Sequence, residues 1–242
     1  PAFSGDLLLG LGLLSVLIAT PFILAQWNLK RLLAYSSIEH VGIMALGVGL
    51  GARAATFGAL LHMTYHTLAK PVAFFSAGTL AQLHRSSDFE ELGSGTLWRT
   101  PVASGLLVVA SLMVTGSPPF GLFFSEMLIL EAGFRGPHRL ATAVFLGSLV
   151  LLFCGMFYQV GRLVLGPRPT TQRREPEPEV LDMAMGSTMA VALLGVVLLE
   201  ASGKAAIGTA TFPPYRTANF AWLRYVIGGL MFGVGMTLAS GC

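Results

Sequence analysis

The chain has 242 residues, 54% hydrophobic and 11% charged, with a mean hydropathy of +0.71, whereas an ordinary soluble domain is about 25% charged; the composition excludes a soluble domain and points to an integral membrane protein. The net charge of +3 rests on Arg and Lys that sit mostly between apolar runs, a pattern of membrane-edge loops that argues against a nucleic-acid partner. Cys154 lies inside an apolar segment and Cys242 ends the chain, so no disulfide framework is implied.

Membrane-length apolar windows fall at Leu7–Trp27, Leu32–Leu50, Ala54–Leu83, Pro101–Gly133, Leu140–Leu165, Met183–Glu200 and Phe220–Ser240. The expected fold is all-α, a polytopic transmembrane helical bundle of about seven segments. The chain opens at Pro1 almost directly into an apolar run, without a charged n-region or a small-residue cleavage site. It reads as a piece of something longer that inserts by its own helices.

Lys30 and Arg31 stand where the first segment gives way to the second, the place for cations that snorkel to the interface. Glu39 and His40 lie about two turns into the second apolar segment, so an acid and an imidazole are carried together into the bilayer or a cavity within it.

The third segment holds His62, His66 and Lys70, each four residues from the next. On a helix they drift by only about 40° per step and climb roughly 6 Å, which makes a polar ladder on one face. A charged Lys near the bilayer centre costs about 2.5–3.5 kcal/mol on insertion scales, so it must face protein or water. Three titratable groups in a row suggest a proton path, since imidazole exchanges protons near neutrality and a desolvated Lys releases one reversibly. Two other readings stand beside this one. Histidines also serve as polar glue between helices, and His-x-x-x-His is a zinc spacing, although Met63 occupies the place of a zincin's Glu.

The fourth segment is interrupted by Gly116-Ser117-Pro118-Pro119-Phe120-Gly121. Two prolines remove backbone donors and the glycines loosen the chain, so a broken helix is expected over Gly116–Gly121. Irregular backbone at membrane depth is tolerated where it is buried or lines a watery cavity. Glu126 follows the break and reads as an intramembrane proton carrier or as a charge complementing the half-helix dipole, two roles that are compatible. Glu131, near Arg135, His138 and Arg139, reads as an interfacial charge. Residues 166–182 are polar, proline-rich and charge-dense, a solvated linker and a boundary. A slight excess of Lys and Arg on the linker's face puts it in the cytoplasm by the positive-inside rule.

Three motifs carry a resemblance: Leu29-Lys-Arg-Leu-Leu-Ala-Tyr-Ser-Ser-Ile-Glu-His-Val-Gly, His62-x3-His66-x3-Lys70, and Ser117-Pro-Pro-Phe-Gly-Leu-Phe-Phe-Ser-Glu126. Through them residues 1–169 resemble the antiporter-like, proton-conducting membrane subunits of NADH-quinone oxidoreductase, multisubunit cation/proton antiporters and membrane-bound hydrogenases. They look most like the hydrogenase-4 component F branch. The resemblance implies two inverted five-helix repeats in the whole protein, of which residues 1–165 look like the second. Lys70 would then lie on a central hydrophilic axis and Glu126 at the broken helix of an exit half-channel, with His62 and His66 matching the family's histidines. A lone second repeat is expected not to conduct protons by itself.

Residues 183–242 form a two-helix C-terminal segment similar to sulfur-compound (thiosulfate) transporters, whose helices end in Gly-Met-x-Leu-Ala-x-Gly-Cys; there Cys242 would be the thiol that touches substrate.

The expectation is a proton-translocating membrane subunit of a hydrogenase or complex-I-like assembly in a bacterial or archaeal cytoplasmic membrane. It would be non-catalytic, without a cofactor, and partnered by membrane and peripheral subunits. Its proton path would use Lys70, Glu126, His62, His66, Glu39, His40 and Lys30. The alternative is a sulfur-compound transporter, or a fusion with one, acting through Cys242. A third reading is a purely structural membrane fragment.

Overall fold

The computed structural model describes residues 2–166. The linker beyond residue 166, the C-terminal segment 183–242 and Cys242 lie outside the described residues.

Among the described residues eight helices follow one another: α1 (Ala2–Leu24), α2 (Leu29–Gly49), α3 (Arg53–Leu83), α4 (Phe89–Leu92), α5 (Thr96–Arg99), α6 (Pro101–Val114), α7 (Gly121–Arg135) and α8 (Arg139–Val164). Among the described residues there is no strand, only an isolated bridge between Asn28 and Asp88. The expected all-α helical bundle is what forms. By length and composition, α1, α2 and α8 are apolar enough to cross a membrane. The 31 residues of α3 extend roughly 46 Å, longer than the hydrocarbon layer, while α6 and α7, with 14 and 15 residues, reach only about 21–22 Å each. These two half-helices can span it only together.

α3 packs against α2, α6 and α7; α1 joins α2 to α8, and α8 closes against α6 and α7. The outward faces of α1 and α8 carry Phe3, Leu11, Leu14, Leu140, Leu151 and Phe157, an exposed apolar belt suited to lipid rather than water. Inside, Ile43, Leu46, Val72, Ala77, Leu107 and Phe145 form part of one continuous core. Small residues let backbones approach in a membrane bundle. A side chain at Gly12 would meet the backbone of Gly42 and Leu46, and one at Gly42 would meet the Gly12 carbonyl, so α1 and α2 are in near backbone contact.

One end of the bundle is tied by polar bonds. Asn28 caps α2, its side-chain oxygen accepting from the Arg31 N–H at 3.1 Å, and donates to Asp88 Oδ1 at 2.7 Å. The Gln159 amide on α8 donates to the carbonyls of Leu24 and Gln26 at 3.2 and 3.1 Å. These bonds hold the α1–α2 turn, the chain leaving α3 and the end of α8 together.

The interruption between α6 and α7 falls where the proline pair predicts it. Gly116 has φ +63°, a conformation that favours glycine, and the peptide joining Pro118 to Pro119 is cis.

A buried polar axis across three helices

α2, α3 and α7 each send titratable side chains inward, and these meet. α2 supplies Glu39 and His40, α3 supplies His62, His66 and Lys70, and α7 supplies Glu126; all are buried except His66, which is half-buried. The placement follows from helix periodicity, because α2 and α3 run antiparallel through a short turn and their inward faces carry these residues one to two turns apart.

Lys70 is held from two sides. Its Nζ donates to the Leu33 carbonyl at 2.8 Å and to Ser36 Oγ at 2.6 Å, and lies 5.8 Å from the centre of the Phe74 ring. Glu39 attracts it electrostatically, although no ion pair within 4 Å joins them among the described residues. Next come three imidazoles. The His40 ring centre lies 4.7 Å from that of His66 and 5.0 Å from that of His62. His40 Nδ1 and His62 Nε2 are 2.9 Å apart, and His62 Nδ1 is 2.8 Å from Ser125 Oγ on α7. The Nε2 atoms of His40 and His66 are buried without a partner of hydrogen-bond geometry.

Glu39 and Glu126 line one small cavity of about 10 Å³, together with Ile23, Val114, Thr115, Leu149, Leu152 and Met156. That is about the smallest space that holds a single water. The two carboxyl groups thus open onto the same small space. At Gly116 a side chain would strike the Glu126 carboxylate. The left-handed glycine therefore both turns the chain and makes room for the acid.

Lys30 stands apart: it is exposed in the first turn of α2 and does not join the buried group. Glu126 is the sixth residue of α7, whose first turn carries no acidic residue. The helix-dipole reading of Glu126 is thereby corrected, since that effect fades beyond the first turn. Glu131 pairs with Arg135 at 2.7 Å, both well exposed, as an interfacial charge should. Among the described residues no three or more His, Cys, Asp or Glu side chains are arranged to hold a metal ion.

Ser36 and Ser125 are not among the expected site residues, yet each is a partner of a titratable group. The available signal was spacing, since Ser36 lies one turn before Glu39 and His40 on the same face and Ser125 abuts Glu126.

Residues 3–154 match the family model described as NADH:quinone oxidoreductase/Mrp antiporter, TM. The chain belongs to this antiporter-type membrane family. Similar members include a hydrogenase-4 component F homolog of Methylacidiphilum infernorum, 40% identical over 62% of this chain and 31% of the relative. NADH-quinone oxidoreductase subunit N of Desulforudis audaxviator is 32% identical over 67% of this chain and 33% of its own length. The chain thus spans about a third of the length of the curated relatives it matches. Among solved structures it resembles a chain of the membrane-bound sulfane sulfur reductase, an archaeal respiratory membrane complex. There the TM-score is 0.71 at 25% identity, covering 83% of this chain and 41% of that one. A chain of the Mrp complex from Dietzia sp. shares the fold, with TM-score 0.62 at 20% identity over 73% of this chain and 34% of that one. Residues 180–242 match a second family model, described as Sulphur transport. Within the antiporter-type family, this chain is thus an integral membrane protein whose relatives are subunits of multisubunit complexes.

Proposed function

We propose that this chain is the second five-helix repeat, residues 1–165, of a proton-translocating membrane subunit in a hydrogenase or complex-I-like assembly. A linker over 166–182 and a two-helix segment over 183–242 follow. The assembly sits in a bacterial or archaeal cytoplasmic membrane, and its redox chemistry belongs to other subunits. The observation that carries this reading is the buried succession from Lys70 through the imidazoles and Glu39 to the cavity wall at Glu126, inside a member of the antiporter-type family.

In this mechanism Lys70 holds a proton on Nζ, with Leu33 and Ser36 accepting two of its three N–H bonds. Release leaves a neutral amine and moves the proton towards Glu39 or the imidazole group, so charge is conserved across the step. Glu39 faces Lys70 on one side and the shared cavity on the other, and one water there suffices to pass the proton to Glu126. Lys30, exposed, would serve only at the mouth of such a path. A charge change in a neighbouring subunit shifts which carboxylate is protonated and drives the sequence.

The test is acidification by vesicles containing the complete subunit in its complex. Lys70→Ala removes the titrating amine and is expected to stop translocation; Lys70→Arg keeps a charge that is not released and is expected to be nearly as damaging. Normal pumping by Lys70→Arg at normal membrane abundance overturns the reading.

The Sulphur transport match supports a second role for the C-terminal segment. In that role Cys242→Ala in the complete protein abolishes growth on thiosulfate and leaves pumping alone; equal growth of mutant and parent removes it.

A further inference from the structure

A polar chain that the proton path does not by itself explain reaches across α7, α3, α2 and the last residue of α6: Ser125, His62 and His40 are hydrogen-bonded in turn, and the backbone of Val114 lies beyond His40. Its far end exists because of the helix break. In an unbroken α-helix the Val114 carbonyl would accept from the N–H of residue 118, but residue 118 is proline and has none. The freed carbonyl faces the His40 ring, whose Nδ1 is already engaged with His62. The buried Nε2 approaches that carbonyl without reaching hydrogen-bond geometry.

Donor counting then orders the protons. A carbonyl only accepts, so an unprotonated Nε2 on His40 would set two acceptors against each other in a buried site, while Nε2–H relieves the conflict. A neutral His40 with its proton on Nε2 accepts at Nδ1. His62 must therefore donate from Nε2 and accept at Nδ1. Among the described residues the one group placed to donate to that Nδ1 is the Ser125 hydroxyl, which is also 2.7 Å from the Leu122 carbonyl. Turning it towards His62 leaves no buried group bare, because Leu122 retains the backbone N–H of Glu126 inside α7. With the hydroxyl turned to Leu122 instead, His62 must carry its proton on Nδ1 and His40 must donate from its own Nδ1. That arrangement is complete only when His40 also bears a second proton on Nε2.

We propose that Ser125 is a positioning residue of the proton path: through His62 it fixes the tautomer and ring orientation of His40, aiming His40 Nε2–H at the carbonyl freed by the α6–α7 break. Its effect on pumping rests on the proton-path reading above; the hydrogen-bond order itself does not. The hydroxyl's two orientations correspond to a neutral chain and to one holding a single extra proton. A proton thus resides at His40 without stranding any buried polar group, beside a cavity that Val114 also lines.

The experiment uses the complete subunit, labelled with nitrogen-15 at histidine, in lipid bilayers, with signals assigned by His40→Gln and His62→Gln. In the parent, both neutral rings are expected to carry hydrogen on Nε2, and the His62 Nδ1 signal to show a bound hydrogen-bond donor. Ser125→Ala should shift that signal to the value of a free acceptor and lower proton translocation several-fold. Ser125→Thr, which keeps the hydroxyl, should restore both. Should the threonine crowd the site and lower abundance, Ser125→Cys, a weaker donor of similar size, is expected to fall between parent and alanine. Parent rings protonated on Nδ1, or a His62 signal unmoved in Ser125→Ala, overturn the ordering whatever the pumping rate. A shifted signal with full pumping overturns the positioning role. A loss of pumping confined to Lys70 variants would leave the proton-path reading intact while removing Ser125 from it.

Discussion

Among the described residues three helical crossings carry proline inside, at Pro21 in α1, at Pro71 in α3 and at Pro118-Pro119 between α6 and α7, and the last two behave differently. α3 runs unbroken through Pro71, directly after Lys70, while the α6–α7 crossing stops at Val114 and restarts at Gly121 around Pro118 and Pro119. A single proline removes one donor and bends a helix that packing on three neighbours can still hold. Two prolines behind a left-handed glycine leave nothing to hold. The contrast extends to the groups they deliver. Lys70, on the unbroken helix, is anchored by two short hydrogen bonds; Glu126, after the break, is set at the wall of a cavity. The continuous helix holds its amine in a fitted site, and the interrupted one sets its acid beside open space.

The sharpest way to break this comparison is at Glu126. Glu126→Gln keeps the shape and removes the titrating group, so proton translocation by the complete subunit should fall by about 10²-fold or more, as for other positioned proton carriers. Glu126→Asp should recover a sizeable part of it, because a cavity with room for water tolerates a shorter acid, whereas Lys70→Arg in its fitted site should not. If Asp at 126 proves as inactive as Gln while Lys70→Arg pumps, the assignment of anchored and free partners is reversed.

A smaller effect is expected at the turn itself. Gly116→Ala puts a side chain into the left-handed region, at about 1–2 kcal/mol, and pushes it against the Glu126 carboxylate. The purified complex should lose activity at a lower temperature than the parent and pump more slowly, because the acid is displaced. An unchanged inactivation midpoint would mean that the turn relaxes at no cost.

The smallest effect belongs to Pro71. Pro71→Ala returns a backbone donor to α3 and loosens the unfolded chain, two effects that oppose, so stability should stay within about 1 kcal/mol of the parent. Pumping should change by less than about fivefold, since one factor of ten corresponds to about 1.4 kcal/mol. A large loss would show that Pro71, as well as the hydrogen bonds, places Lys70.

Much of this was legible in the sequence because membrane helices obey strong local rules. The four-residue spacing of His62, His66 and Lys70 needs only helical geometry to become a ladder, and Pro118-Pro119 between glycines can only interrupt. The pairing of Glu39 with Glu126 was not legible. It depends on how α2 and α7 both pack on α3, and no local pattern records that. The same holds for His40 with His62, 22 residues apart, and His62 with Ser125, 63 apart: a serine's role appears only when its partner arrives. Lys30 shows the other limit, since adjacency in a motif carries no information about which face a residue takes, and its side chain is exposed.

The backbone contact between Gly12 and Gly42 bears on the order in which the protein is made. α1 and α2 are joined by a short turn and fit together along glycines, so this hairpin is expected to pair in the bilayer while α3 is still being synthesised. Leu33 and Ser36 are then already in place when Lys70 leaves the ribosome, and the costliest side chain enters lipid with its acceptors waiting. Crosslinking of α1 to α2 in nascent chains halted with α3 still inside the ribosomal tunnel would reveal this order; hairpins that form only once α3 has emerged would rule it out.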